Sequence, residues 1–248
     1  MGRKRVTSGM GPTGGMQLGN LLGALENWVR LQDDYDCFFF IVDWHALTTP
    51  GGGNAVGYEN VGDLRNRVRE IAVDWIAAGL DPEKCSIFIQ SHVPEVAELH
   101  LLFSMITPLG WLERNPAYRD MVQSYRIESP SYGLLGYPTL QAADILAYKG
   151  DYVPVGKDQE AHVNMTRDLG QRFNSLYGKK VFPITETLLT PVPRVPGLDG
   201  PPSRLRTIQA MTENLNPRGA RIVALTPSSL TVLPDGAPFA TLRPTEKN

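Results

Sequence analysis

Phe38-Phe-Phe-Ile-Val42 is a short, continuous apolar run with none of the alternation that marks a half-exposed strand. It predicts a strand covered on both faces, and such strands belong to parallel sheets flanked by helices. Ile87-Phe-Ile-Gln90 repeats the signal. Between the two, Asp63 stands where a helix N-cap is expected, and Leu64, Val68, Ile71, Ala72, Trp75 and Ile76 recur at helical spacing. Gly79, followed by Asp81-Pro82, marks the end of that helix. Earlier in the chain, Leu21, Leu22, Ala24, Leu25, Trp28, Val29 and Leu31 form an apolar stripe opposite Glu26, Asn27 and Arg30, so a first helix is predicted to begin right after Gly19-Asn20. Further helices are predicted over about 95–106, 139–148 and 158–177, with a strand at Tyr152-Val-Pro-Val155. This alternation of strand and helix points to the α/β class with a doubly wound parallel sheet. The polar stretch 111–136 holds Pro116 and Pro130 and has weak periodicity, so it reads as a loop or small insertion.

The bulk properties narrow the function classes without choosing one. A chain of 248 residues, 42% hydrophobic, can bury one substantial core and form one or two domains. A formal net charge of -2 excludes a globally basic nucleic-acid coat, so any RNA contact has to come from a local patch. The two cysteines, Cys37 and Cys85, lie in apolar surroundings far apart in sequence, which predicts buried thiols in a reducing compartment and no metal site in the protein. No apolar run follows the basic residues near Met1, and nowhere do roughly 18 apolar residues stand together, so a cytoplasmic protein without a membrane span is expected.

Several segments carry candidate chemistry. Gly9, Gly11, Gly14, Gly15 and Gly19 surround the entry to the first helix, where backbone N–H groups and the helix dipole favour a phosphate, although a tight strand-to-helix turn needs glycine for geometry alone. Asp144 sits among small and apolar residues on a predicted helix, where a buried carboxylate requires a donor from the backbone or from a ligand. Asp43-Trp-His-Ala-Leu-Thr-Thr49 follows the Phe-rich strand and so lies at its carboxyl end, where open α/β sheets bind ligands. His45 in that segment reads equally as a capped core histidine or as a pocket residue. His92 and His100 carry no comparable support.

In their detailed order these segments resemble bacterial tryptophanyl-tRNA synthetases. The matching stretches are Ser8-Gly-Met-Gly-Pro-Thr-Gly with Leu18-Gly-Asn20, Gln90-Ser-His-Val-Pro94, Pro108-Leu-Gly-Trp-Leu-Glu-Arg-Asn-Pro116, Tyr137-Pro138 with Gln141-Ala-Ala-Asp-Ile-Leu146, Val153-Pro-Val-Gly-Lys-Asp-Gln159 and Val195-Pro-Gly-Leu-Asp-Gly200. The resemblance implies a Rossmann-like class I synthetase catalytic domain over 1–200, acting on L-tryptophan, ATP with Mg2+ and tRNA(Trp), and forming a homodimer. It assigns ATP binding to Gly11, Pro12, Thr13, Gly19, Asn20, Gly156, Lys157, Asp158 and Val195, and tryptophan binding to Asp144, Tyr137, His45 and Gln141. In this family the aspartate accepts the indole N–H, which rejects phenylalanine because that ligand leaves the acceptor unsatisfied. The chain departs from the pattern in four places. Gly11 replaces a usual glutamine, Gln17 occupies the first histidine position of the catalytic motif, Lys157 replaces a glutamate, and Asn164 stands where glutamate is usual. An amide at 17 still donates a hydrogen bond to phosphate but carries no charge.

After Gly200 the resemblance stops. Relatives continue with a Lys-Met-Ser-Lys-Ser loop that grips ATP phosphates and then a helical anticodon-binding domain; this chain reads Pro201-Pro-Ser-Arg-Leu-Arg206. Of the 48 residues from 201 to 248, seven are proline, six threonine and only Phe239 is aromatic, a composition with little to build a core, so a poorly packed tail is expected. So abrupt a change of texture is what a shifted reading frame produces. Slow adenylate formation follows, and the competing expectation is a non-enzymatic paralogue that binds tryptophan or nucleotide.

Overall fold

The computed structural model describes residues 2–12, 16, 18–51, 56–124, 126–155 and 160–189. Among them, strands β1 (Arg5–Met10), β2 (Asp36–Ile41), β3 (Ser86–Ile89), β4 (Tyr152–Val155) and β5 (Glu186–Leu189) form one sheet in the order β3-β2-β1-β4-β5 with every pairing parallel. The α/β class and the parallel sheet read from the apolar runs are therefore borne out. The predicted tail from Pro201, together with Val195, lies outside the described residues.

Both faces of the sheet are covered, as the unbroken apolar runs require. Val6, Phe39, Ile41, Ile87 and Ile89 share one core with Leu25, Trp28 and Leu31 from the first helical segment and Val68, Ile71, Ala72 and Trp75 from α4 (Leu64–Ala77). Trp28 stacks on Phe39 at 4.6 Å between ring centroids and meets Trp75 edge-on at 5.1 Å. On the opposite face, Phe38, Phe40 and Phe88 gather around Tyr148, the residue that ends α8 (Tyr132–Ala147). Behind them α8 packs on α5 (Pro94–Ile106) and α9 (Glu160–Tyr177), with Val96, Phe103, Leu140, Leu146 and Leu169 as a second core. Cys37 and Cys85 are free and buried, and burial pushes both thiols up to about 12, which leaves them unreactive.

Four local expectations need correction. The first helical path begins at Leu18, ahead of Asn20, and runs as α1 (Leu18–Asn20), a π-helical stretch over Leu21–Leu25 and α2 (Glu26–Leu31). Asp63 precedes α4 without capping it, because its ψ of 0° is outside the extended region a cap uses; its carboxylate takes Arg67 Nε at 2.7 Å and Asn66 Nδ2 at 3.1 Å instead. The stretch 111–136 is mostly helix and not a loop: α6 (Leu109–Glu113), α7 (Pro116–Ser124) and the start of α8 occupy it. Pro116 opens α7 at the position where a missing N–H costs nothing, with Asn115 Oδ1 accepting from the Ala117 and Tyr118 amides, and Ser131 Oγ accepts from Leu134 N to cap α8. Finally, α8 starts seven residues before the predicted 139 and carries Pro138 inside it. Between β2 and α4 the chain also forms α3 (Asp43–Ala46).

The sheet opens at one place. Val6↔Tyr152 is the single paired position between β1 and β4, whereas β4 then pairs with β5 along its whole length. Pro154 offers no N–H to a ladder, and from Val153 onward β4 separates from β1. This gap falls at the carboxyl ends of the strands, where the strand order reverses.

Candidate active site

A cavity of about 280 Å³ fills that gap. Its walls are Thr7, Ser8 and Gly9 of β1, Val153, Pro154 and Val155 of β4, Gly23, Ala24 and Trp28 from the first helical path, and His45, Tyr137, Gln141 and Asp144. Gly9 keeps it open, since a Cβ there would lie 2.6 Å from the Phe40 ring and 2.7 Å from Val42. A helix that precedes a parallel strand runs against it, so the amino end of α8 lies at the mouth of the cleft. Tyr137, Gln141 and Asp144 are spaced i, i+4, i+7 and descend one face of α8 from mouth to floor.

Asp144 is only 2% exposed and is held by two side chains from the tips of neighbouring strands. His45 Nε2 lies 2.9 Å from Oδ2, and Gln90 Nε2 donates to both carboxylate oxygens at 2.8 Å. Gln90 is fixed in turn, because its Oε1 accepts from Trp44 N at 3.0 Å. Asp43 completes the layer by accepting from Ser91 N at 3.0 Å, which ties the ends of β2 and β3 together. The His45 ring meets Tyr137 at 4.4 Å between centroids. Burial pushes the Asp144 carboxyl above the ordinary carboxylate range, and the bonds from His45 and Gln90 offset only part of that. His100 stands behind the same layer, with Gly136 facing its ring; burial, and then the nearby His45, lower its pKa.

Of the residues singled out in the sequence, the cavity brings together His45, Tyr137, Gln141 and Asp144. Gly11 and Pro12 follow β1, and Gly19 and Asn20 belong to α1; these four are near the same end of the sheet but do not line the cavity. Thr13, Gln17, Gly156, Lys157 and Asp158 lie outside the described residues, as does Val195. Sequence reasoning missed Gln90 as a site residue. The available signal was its position as the one polar residue closing an apolar strand, and therefore at the carboxyl end of the sheet. Among the described residues no cluster of His, Cys, Asp and Glu could hold a metal ion, and no helix is long and apolar enough to cross a membrane.

The sequence profile of the tRNA synthetases class I (W and Y) matches residues 2–202. The chain belongs to that family. The tryptophan–tRNA ligase of Ralstonia nicotianae is 55% identical over 178 residues, covering 71% of this chain and 43% of the relative. That of Aquifex aeolicus is 40% identical and covers 79% of this chain and 65% of the relative. Thus the chain spans about half the length of the curated relatives it matches. Among solved structures, tryptophanyl-tRNA synthetase from Campylobacter jejuni, complexed with ADP and tryptophane, superposes with a TM-score of 0.67 at 36% identity, over 77% of this chain and 56% of that one. Tyrosyl-tRNA synthetase from Archaeoglobus fulgidus, at 21% identity and a TM-score of 0.61, shares the fold.

Proposed function

We propose that this chain carries the amino-acid-recognition and activation core of a tryptophan–tRNA ligase. In this reading the cavity between β1 and β4 takes L-tryptophan. The indole lies among Trp28, Phe40, Ile145 and Val153, and its N–H is accepted by Asp144. The observation that carries the reading is the buried carboxylate itself: Asp144 is held by His45 and Gln90 on the wall of a cavity of about 280 Å³, room enough for one amino acid. Of the four lone-pair directions on the carboxylate, these donors leave one on Oδ1 for a ligand N–H.

The reaction is attack of the tryptophan carboxylate on the α-phosphate of ATP, with Mg2+ accompanying the nucleotide, followed by transfer of tryptophan to tRNA(Trp). No side-chain nucleophile takes part; the protein supplies positioning and charge stabilisation. ATP is assigned to the mouth of the cleft, against Gly11, Pro12, Thr13, Gly19 and Asn20 on one side and Gly156, Lys157, Asp158 and Val195 on the other, with Gln17 donating to a phosphate oxygen. The likeness of the fold to the Campylobacter jejuni enzyme with ADP and tryptophane supports this division of the cleft. A homodimer is proposed on the apolar face that α5 and α6 leave exposed at Leu101, Leu102, Met105 and Leu109. A cytoplasmic location goes with this activity.

Isothermal titration calorimetry tests the pocket. The chain should bind tryptophan and discriminate against phenylalanine by at least about tenfold, and Asp144→Ala should erase the discrimination while circular dichroism stays unchanged. Equal affinity for the two amino acids in the unaltered chain would remove the assignment of Asp144.

A further inference from the structure

We infer that Gln90, a side chain outside the cavity wall, is the positioning residue that fixes Asp144 as a hydrogen-bond acceptor and so sets the preference for an indole over a ring without an N–H. The inference rests on the reading of the cavity as the tryptophan pocket and assigns its selectivity to the end of β3, behind that wall. Gln90 is 1% exposed and does not line the cavity. Its Nε2 donates to both oxygens of Asp144 at 2.8 Å, while its Oε1 accepts from Trp44 N at 3.0 Å. The second bond settles which way the amide faces. Turned over, it would set an oxygen against the carboxylate and an NH2 group against the Trp44 N–H, two conflicts of like polarity in a buried place. The backbone that locks Gln90 is itself held, since Asp43 Oδ1 accepts from Trp44 N at 3.1 Å and from Ser91 N at 3.0 Å.

His45 does not fix the acceptor alone. Its Nε2 lies 2.9 Å from Oδ2, but an imidazole nitrogen donates in one tautomer and accepts in the other, so His45 suits a carboxylate and a protonated carboxyl alike. An amide nitrogen only donates. With its orientation locked by Trp44, Gln90 presents a donor that cannot reverse, and a proton added to Asp144 on that side would meet its N–H. Burial works the other way: it favours the uncharged acid, and the bond from Gln90 opposes it. A protonated Asp144 turns an O–H to the ligand and loses its reason to prefer an N–H donor. The titratable groups that face the carboxyl are His45 on α3, His100 on α5 and Tyr148 at the end of α8, to which Gln90 adds a donor that carries no charge and does not titrate.

The test titrates the full chain with tryptophan and with benzothienylalanine, the isostere in which sulfur replaces the indole N–H, by isothermal calorimetry from about pH 5 to pH 8. Gln90→Met keeps the length of the side chain and removes its polar groups. At pH 7 it should weaken tryptophan by about tenfold, the worth of one hydrogen bond to a charged group, and leave benzothienylalanine within about twofold. The fall in tryptophan affinity toward acid pH should also move to higher pH, because the charged form of Asp144 has lost a donor; a merely structural role leaves that profile in place. Gln90→Glu supplies a donor only while it holds a proton, so its preference for tryptophan should be present at the acid end and fade as pH rises, the opposite trend. The inference is overturned if Gln90→Met weakens both ligands equally, if it changes neither affinity, or if Gln90→Glu keeps the parental preference at every pH. No preference for tryptophan over benzothienylalanine in the unaltered chain would instead defeat the assignment of Asp144 on which the inference rests.

Discussion

Asp144 shows how a single side chain can be set against the stability of its own fold. Its carboxyl titrates above the ordinary range because burial penalises the charged form more than His45 and Gln90 relieve it. The native state therefore takes up a proton at a higher pH than the unfolded chain, and stability gained by protonation is fully present below the unfolded value and lost as pH rises through the raised one. Asp144→Asn removes the charge while keeping shape, and an amide can still meet Gln90 and the imidazole. The variant should melt at or above the temperature of the parent at pH 7, with its advantage shrinking as pH falls toward the ordinary carboxylate range. Tryptophan affinity should fall about 10- to 100-fold, since a neutral acceptor replaces a charged one. Thermal melts from pH 4 to pH 8 read this directly; a variant that is less stable by the same margin at every pH would mean that the carboxylate is held by its partners and not strained by burial.

At the scale of elements, the strands and the cavity depend on one close approach. Gly9 pairs with Phe40 across β1 and β2, and Phe40 is itself fixed against Phe88 and Tyr148, so the ring cannot retreat from a methyl group placed 2.6 Å away. Gly9→Ala is expected to destabilise the protein by about 1–3 kcal/mol, the usual cost of overpacking, and to narrow the tryptophan cavity. Urea denaturation and calorimetry measure the two effects, and a variant of parental stability and affinity would show that the β1–β2 edge can spread. Elements were legible in the sequence where burial imposed a period. The runs at Phe38 and Ile87 read as covered strands because both their faces are filled, and Trp28, Ile71 and Trp75 recur at helical spacing because each faces the sheet. Less legible were elements with only a short face: α7 fully buries none of its residues, its half-buried face is just Ala117, Tyr118, Met121 and Val122, and its proline and polar cap resemble a loop until the hydrogen bonds of Asn115 are seen. Pro138 hid the first half of α8 for a related reason, because a proline stops a helix in most contexts but is tolerated in one packed against both α5 and α9. The floor of the site was half legible. Asp144 and His45 are unusual residues for their surroundings, whereas Gln90 is identified only once β3 delivers it to the same carboxylate.

Among the described residues the parallel sheet carries an apolar core against its first helices and a second among α5, α8 and α9, and tryptophan recognition is assigned to the gap between β1 and β4, within residues that match the family. Charge for the nucleotide is a separate matter. Where the resembling enzymes carry a lysine loop, this chain has Arg204 and Arg206, held to a sequence of different spacing. Phosphate clamps act by meeting charge as it develops, and the removal of one commonly costs about 10²–10³ in rate. Tryptophan binding and adenylate formation should therefore separate: the chain should bind tryptophan selectively yet exchange pyrophosphate into ATP slowly. Joining residues 1–200 to the remaining part of the Ralstonia nicotianae ligase, a relative 55% identical over the shared region, should raise the exchange rate by about that factor with little change in tryptophan affinity. A chimera that binds tryptophan but exchanges no faster than the parent would put the fault in the core, with Gly11, Gln17 and Lys157 as the departures to revert. Rapid exchange by the unaltered chain would mean instead that the two arginines, or Lys157, already meet the phosphate charge.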